Sequence, residues 1–390
     1  MSLPHILLAL LLACCIGITA CSEPSDRDIL EDLISDVNDE PDNLKARFKL
    51  GEFYLSKKQY LKAKDQFSKV IEIDPTFSRA HRGMGLVYHA QKRLNDAEKS
   101  FKEAFTLDNG DTTSLINLGS VNLELNRTSR AIQYFDIAVK RDVDKASTLN
   151  NLGAAHHKKG EIEEAISNWK AALKIKPDFS DAHNNLGVVY QEQQEYNKAL
   201  RQFKEALKSN PHNFKAHYNL GILLAKGGKI KLALEQWLAG KKTNPNDALL
   251  LNQLGWAYEK LGDKNKALEE YIHSGKVDPY NPEVQFHIGR LQEELGRHEL
   301  AVKAFKNSIN LDPNHAESYY RLGLLYEGYQ SGKNAISNMI IADLLYQKNR
   351  DKVMAEKSEK NLETYYAKYK LTRKDFADLP LPDLVRNLPS

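Results

Sequence analysis

Asn117-Leu118-Gly119 is the stretch of sequence that decides the fold, because the same three residues return at a fixed spacing. They recur at 151–153, 185–187 and 219–221, each time 34 residues further along the chain. Self-similarity with a period of about 20 to 50 residues is typical of stacked repeat architectures rather than of one globular core. The same frame extends in both directions from these four copies.

Nine units of 34 residues run from Leu44 to Asn349 without an insertion. With Leu44 as repeat position 1, position 8 is glycine and position 20 is alanine in every unit. Position 24 is bulky throughout, and position 32 is proline in six units. The predicted repeats are 44–77, 78–111, 112–145, 146–179, 180–213, 214–247, 248–281, 282–315 and 316–349.

Packing explains the repeated small residues. A glycine inside a helix costs about 1 kcal/mol relative to alanine, so nine such glycines need a common reason. We predict two helices in each unit, helix A over positions 1–14 and helix B over positions 15–30. Glycine and alanine would let them cross closely, and the bulky position 24 would fill the space beside them. Gly160, Gly228, Gly262, Gly296 and Asn126 at position 15 predict a positive-φ turn.

This pattern resembles the tetratricopeptide repeat. The resemblance implies an all-α fold, a right-handed superhelical solenoid in which helix A lines a concave groove. It also implies that repeat positions 2, 5, 6, 9, 12 and 13 point into that groove. Because terminal repeats must be covered, we expect a capping helix over 350–378. The tail 379–390 contains Pro380, Pro382 and Pro389 and is expected to be extended or loose.

The N-terminal residues are predicted to be a targeting segment rather than part of the folded domain. Residues 1–20 form a signal peptide with an uncharged apolar run, and Ile18-Thr19-Ala20-Cys21 resembles a bacterial lipobox. The resemblance implies a lipid-modified Cys21 carrying diacylglycerol and palmitate-type acyl chains. Ser22 then favours the outer membrane, with the protein facing the periplasm of a bacterial cell envelope. Residues 21–43 are predicted to form an acidic tether and a short capping helix.

Two features of this segment leave other interpretations open. The residues before the apolar run include no Lys or Arg, and a second possible lipobox ends at Cys14. An ordinary secretory signal or an uncleaved anchor is the alternative to a lipoprotein.

The composition gives no support to an enzyme. All three cysteines lie in the first 21 residues, so no thiolate metal site is expected downstream, and no cofactor is predicted. His81, His183 and His217 share repeat position 4, where a half-buried packing role is expected. No GxxxxGK[ST], GxSxG or HExxH motif is present. A net charge of +3 gives no case for nucleic acid as a partner.

Asparagine at positions 5 and 6 is the main functional signal. One carboxamide can donate and accept at once, so a row of them can hold a peptide backbone. The row resembles the asparagine ladder of the repeats in O-linked N-acetylglucosamine transferase, whose catalytic domain is absent here. The candidate groove residues are Asn117, Asn150, Asn151, Asn184, Asn185, Tyr218, Asn219, Asn252, Gln253, Phe286, His287, Tyr320 and Arg321.

These residues predict a scaffold that holds an extended or helical segment of another envelope protein. Two alternatives stay open. Asparagine is also close to the repeat consensus and can simply be a compact, soluble residue. A polysaccharide-export or glycan-binding component could use the same groove, with Tyr218, Trp256, Phe286 and Tyr320 as aromatic platforms.

Overall fold

The computed structural model describes residues 25–141 and 145–385, and these residues form α helices without any strand. The predicted all-α repeat fold is therefore confirmed. The signal segment and Cys21 lie outside the described residues. The twenty α helices are α1 Asp26–Asp39, α2 Leu44–Ser56, α3 Tyr60–Ile73, α4 Ser78–Ala90, α5 Leu94–Leu107, α6 Thr112–Glu124, α7 Thr128–Lys140, α8 Lys145–Lys159, α9 Ile162–Ile175, α10 Ser180–Glu192, α11 Tyr196–Ser209, α12 Phe214–Lys226, α13 Ile230–Thr243, α14 Ala248–Lys260, α15 Lys264–Val277, α16 Pro282–Glu294, α17 His298–Leu311, α18 Ala316–Gly328, α19 Gly332–Lys348 and α20 Lys352–Tyr369.

Each 34-residue unit contains one helix pair, from α2 and α3 in the first unit to α18 and α19 in the ninth. Helix B begins at repeat position 17, two residues later than predicted. The reason is that position 15 is left-handed in every unit and ends helix A. The nine residues with positive φ there are Lys58, Lys92, Asn126, Gly160, Gln194, Gly228, Gly262, Gly296 and Gln330.

The chain divides into two compact units, residues 1–175 and 176–390. The described part of the first contains α1 to α9, and that of the second contains α10 to α20. In both units the alanine at position 20 is fully buried in every repeat, and the position 24 side chain lies beside it. Position 24 is filled by Phe67, Phe101, Phe135 and Trp169 in the first unit, and by Phe203, Trp237, Tyr271, Phe305 and Met339 in the second.

The glycine at position 8 faces this bulky side chain, as the packing argument predicts. A Cβ on Gly119 would lie 2.5 Å from Cε1 of Phe135, and one on Gly187 would lie 2.5 Å from Cε1 of Phe203. Both distances are shorter than any Cβ contact that a folded chain tolerates. The glycines are therefore required by contact between helix A and the side chain of helix B.

The position 4 histidines have the packing role expected of them. His183 bonds Oε1 of Gln202 through Nδ1 at 2.7 Å and the carbonyl oxygen of Pro177 through Nε2 at 3.0 Å. His217 makes the same pair of contacts with Gln236 and Pro211, each at 3.0 Å. These rings connect helix A, helix B and the preceding loop, so they stabilise the repeat.

Both ends of the described chain are covered. At the start, Val37 of α1 is buried and packs on the core around Phe67. At the other end, α20 stops at Tyr369 because Lys370 is left-handed, well before residue 378 where the predicted capping segment ends. A short 3₁₀ helix, Arg373–Phe376, follows. The described part of the tail has no regular helix after it, yet Val385 is only 1% exposed and packs on the C-terminal core.

Candidate functional site

The first unit has a concavity of about 530 Å³ on the side of its first two A helices. Except for Ser78 at position 1, its helix A residues stand at repeat positions 2, 5, 6 and 9, which are positions that the repeat resemblance assigns to the groove. The lining residues are Lys45, Phe48, Lys49, Glu52, Asp74, Thr76, Phe77, Ser78, Arg79 and Asp108.

This concavity is amphipathic. Phe48 and Phe77 contact each other with ring centroids 5.5 Å apart and provide an apolar wall. Lys45, Lys49 and Arg79 are exposed cations. Asp74 adds a negative charge to the lining. The hydroxyl and the backbone amide of Thr76 donate hydrogen bonds to its carboxylate and lower its pKa. The concavity thus combines an apolar wall with charged groups of both signs.

In the first unit, the predicted asparagines stand in the A helices α6 and α8. Asn117 and Asn151 are half-buried at position 6 of α6 and α8. The Nδ2 atom of Asn117 is buried and finds no hydrogen-bond partner among the described residues. Asn150, next to Asn151, accepts the indole N–H of Trp169 with its backbone oxygen at 3.0 Å.

In the second unit, three of the four predicted asparagines bond to one another. Asn219 donates from Nδ2 to Oδ1 of Asn184 at 3.0 Å, and the Asn184 residue is only 3% exposed. Asn184 in turn approaches Oδ1 of Asn185 at 3.5 Å. Part of the hydrogen-bonding capacity of this group is therefore satisfied within the protein.

Tyr218 is also held internally. Its ring stacks on Phe214, with centroids 6.3 Å apart, and its hydroxyl bonds the side chain of Gln253. Burial raises the pKa of Tyr218, and the nearby carboxylate of Asp247 acts in the same direction. The neutral phenol is therefore the form that lies on this face.

A second concavity, of about 260 Å³, lies between the A helices of repeats seven and eight. It is lined by Asn252, Gln253, Trp256, Tyr271 and His287. The rings of Tyr271 and His287 stack at 4.9 Å with an interplanar angle of 10°. Burial lowers the pKa of His287, and the positive charge of Arg290 lowers it further.

The remaining predicted residues lie in the last two repeats and contact other parts of the second unit. Phe286 packs against Phe305 and His315, with ring centroids 5.8 and 5.0 Å away. The hydroxyl of Tyr320 accepts from Nδ2 of Asn361 on α20 at 3.3 Å. These two aromatic side chains are thus used in packing rather than standing free as platforms.

Arg321 forms ion pairs with two carboxylates. It lies 3.3 Å from Glu317 and 3.6 Å from Glu293. Burial raises the pKa of Glu293, which the charge of Arg321 opposes. The cation of Arg321 is therefore balanced within the second unit.

Two features of these faces are missing from the sequence prediction. The first is the concavity in repeats one and two, whose position 6 residue in repeat one is Lys49 rather than asparagine. The second is Tyr271, which lines the smaller concavity. A signal for Tyr271 was present in the sequence: it is the single tyrosine at position 24, and its hydroxyl needs a partner that Phe does not.

The described residues provide no group of three or more His, Cys, Asp and Glu side chains that could hold a metal ion. Among helices α1 to α20, none combines the length and apolar character that crossing a membrane requires.

Comparison with known proteins matches repeat families over most of the described chain. The model of the cilia and flagella-associated protein 70 C-terminal domain matches residues 27–219. Models described as tetratricopeptide repeat match residues 191–252 and 248–281, and a TPR repeat model matches residues 294–328. No curated protein matches the chain.

Among solved structures, the chain is similar to YrrB, a TPR protein with an unusual peptide-binding site. The two are 24% identical with a TM-score of 0.41, over 47% of this chain and 95% of YrrB. It is also similar to MamA, at 25% identity and a TM-score of 0.39 over 43% of this chain and 97% of MamA. A double mutant described as MamA RS-1 ArsTM is 26% identical, with a TM-score of 0.40, over 44% and 96% of the two chains.

Proposed function

Because the chain carries tetratricopeptide repeats, we propose that it is a protein-interaction scaffold whose A helices hold a segment of a partner protein. The observation that carries this proposal is the position of the two concavities described above. In both units, A-helix side chains at the groove positions of the repeat line a cavity. The partner segment would be extended or helical, and side-chain amides would bond its backbone.

The asparagines contribute unequally to this proposal. Asn151 is half-buried at position 6 of α8, so part of its side chain is exposed to a backbone bound along this face. Asn219 already donates to Asn184 and has less capacity left. One hydrogen bond contributes about 0.5–1.5 kcal/mol net, so several contacts along the face are needed for micromolar affinity.

The proposal also includes a location. We place the scaffold on a bacterial envelope membrane, tethered through a lipid-modified Cys21 and facing the periplasm, where it would serve envelope assembly or secretion. The support is the lipobox-like sequence that ends at Cys21, which lies outside the described residues. Incorporation of an alkyne-tagged palmitate into the chain, lost in Cys21→Ser, is the expected result. Equal labelling of both would refute the anchor.

Photocrosslinking in the native host tests the scaffold. A photoreactive residue at Asn151 on α8 is expected to link the chain to one discrete protein. The matched control is Lys170 on α9 of the same repeat, an exposed B-helix position that should give no such product. Identical products from both positions would refute binding along the A helices.

A substitution then measures the contribution of the amide. Asn151→Ala is expected to weaken binding of the crosslinked partner about two- to tenfold, the range of one net hydrogen bond. Asn219→Ala serves as the comparison, because it removes an internal bond and should reduce stability instead. Unchanged partner binding in Asn151→Ala would contradict a backbone grip by this asparagine.

A further inference from the structure

The smaller concavity of the second unit contains buried polar atoms without partners. Tyr271 is 0% exposed, and its hydroxyl bonds to nothing among the described residues. The Nδ1 atom of His287, stacked on the same ring, is also buried and unpartnered there. Because buried polar groups in folded proteins are almost always hydrogen-bonded, these two atoms require an explanation.

The other polar side chains at position 24 show that the chain can satisfy such a group. The indole N–H of Trp169 donates to the carbonyl oxygen of Asn150 at 3.0 Å, and that of Trp237 donates to Tyr218 at 3.1 Å. Each carbonyl belongs to position 5 of the same repeat. Tyr271 occupies the equivalent place in repeat seven and lines the cavity, but its buried hydroxyl makes no such bond.

The side chains that line the cavity carry no net charge with which to bind a charged group. All five lining side chains are uncharged when His287 is neutral. The nearest cation, Arg290, is paired with Glu259 at 2.5 Å and with Glu294 at 2.9 Å. A charged group entering this space would find no free counter-charge, and an apolar group would leave the hydroxyl and the imidazole nitrogen unbonded.

The volume limits the size of the occupant. About 260 Å³ is below the roughly 300–1,000 Å³ of pockets that hold complete drug-sized ligands. It suits a single side chain that enters from a segment lying along the A helices. Trp256 offers a flat indole surface, and Asn252 and Gln253 add amide donors and acceptors.

We propose that this cavity is a specificity subsite that receives a carboxamide side chain, glutamine or asparagine, from the bound partner segment. A carboxamide has one acceptor and two donors, so it can bond the Tyr271 hydroxyl and the His287 nitrogen together while its planar group lies against Trp256. The inference rests on the proposed function, because a partner segment must lie on this face for its side chain to enter.

Selection of peptides tests the subsite. The purified full chain is used to select binders from a displayed library of random peptides, in parallel with a Tyr271→Phe variant. Glutamine or asparagine is expected at one fixed position of the peptides selected by the unchanged chain. The variant should still select peptides but lose this preference. Phe is found at position 24 in five other repeats, so the variant is expected to fold.

Affinities of one selected peptide sharpen the result. Replacing its carboxamide residue by glutamate or methionine is expected to weaken binding about tenfold to the unchanged chain and much less to Tyr271→Phe. Binders without any carboxamide preference, or a preference that survives in Tyr271→Phe, would overturn the subsite and leave the scaffold proposal standing. Failure to select any peptide would refute the scaffold proposal and this inference with it.

Discussion

Replacing Gly119 by alanine is the sharpest test of the repeat packing. The added Cβ would lie 2.5, 2.6 and 2.7 Å from three ring atoms of Phe135. Phe135 is 0% exposed, so its ring has no open space to move into. The substitution therefore forces α6 and α7 apart, or drives the ring out of its rotamer.

The expected cost follows from two opposing effects. Overpacking a tight core costs about 1–3 kcal/mol, and three contacts below 3 Å on a fully enclosed ring place this site near the upper end. Alanine gains about 1 kcal/mol over glycine in a helix interior. We expect Gly119→Ala to lower the free energy of unfolding by about 2 kcal/mol.

Hydrogen exchange in the native state is the appropriate assay, because repeat arrays can unfold locally and a single global value is then poorly defined. Loss of amide protection should concentrate in α6, α7 and their neighbours. Gly328→Ala is the matched control: it is also helical, and a Cβ there would meet nothing within 4 Å. Protection in Gly119→Ala that equals or exceeds the control would refute the packing argument.

Three further predictions concern the second unit. Tyr346→Phe removes a hydroxyl that donates to Glu317 at 2.6 Å and should lower the free energy of unfolding, measured by urea titration, by about 1.5–3 kcal/mol. As the control, Tyr271→Phe removes an unpartnered hydroxyl and should leave the free energy of unfolding unchanged or raise it. Equal losses in the two variants would contradict the different hydrogen bonding of these two hydroxyls. The pKa of His287 is lowered in the fold, so the unfolded chain takes up this proton at a higher pH than the folded chain does. The free energy of unfolding should therefore fall as pH drops below about 6.5. His287→Gln should make this fall less steep, and an unchanged pH dependence would contradict the role of His287. Deleting residues 379–390 removes the buried Val385 and should reduce hydrogen-exchange protection in α19 and α20 by about 1.5–3 kcal/mol. Deleting only residues 386–390 should leave this protection unchanged. Equal protection in the two deletion variants would show that residues 379–385 do not stabilise the C-terminal helices.

The helix pairs could be predicted because side-chain volume is a local property that repeats with the sequence. Glycine at position 8 and a ring at position 24 already imply a close helix crossing, and Gly119 with Phe135 illustrates it. The start of helix B could not be read as accurately. Lys58 and Gln194 adopt positive φ at the position where glycine indicates the turn in other repeats. Their residue types do not predict a left-handed conformation.

The candidate site was less predictable because hydrogen-bond partners depend on distance. Asn184 and Asn219 differ by one repeat position, yet their side chains bond across neighbouring repeats. Tyr320 is contacted by Asn361, which is 41 residues away in α20. Repeat periodicity identifies the face on which such residues lie, but it does not reveal which amides and rings are already engaged.

The arrangement of indoles at position 24 gives this protein a built-in optical probe. The chain has three tryptophans, and Trp169 is the one that belongs to residues 1–175. It is only 2% exposed and its N–H is bonded, conditions in which fluorescence responds strongly to solvent entry. With Trp237 and Trp256 replaced by phenylalanine, emission would report the first unit by itself. A tyrosine-rich second unit could then be followed separately, and the cooperativity between the two would become a measurable quantity.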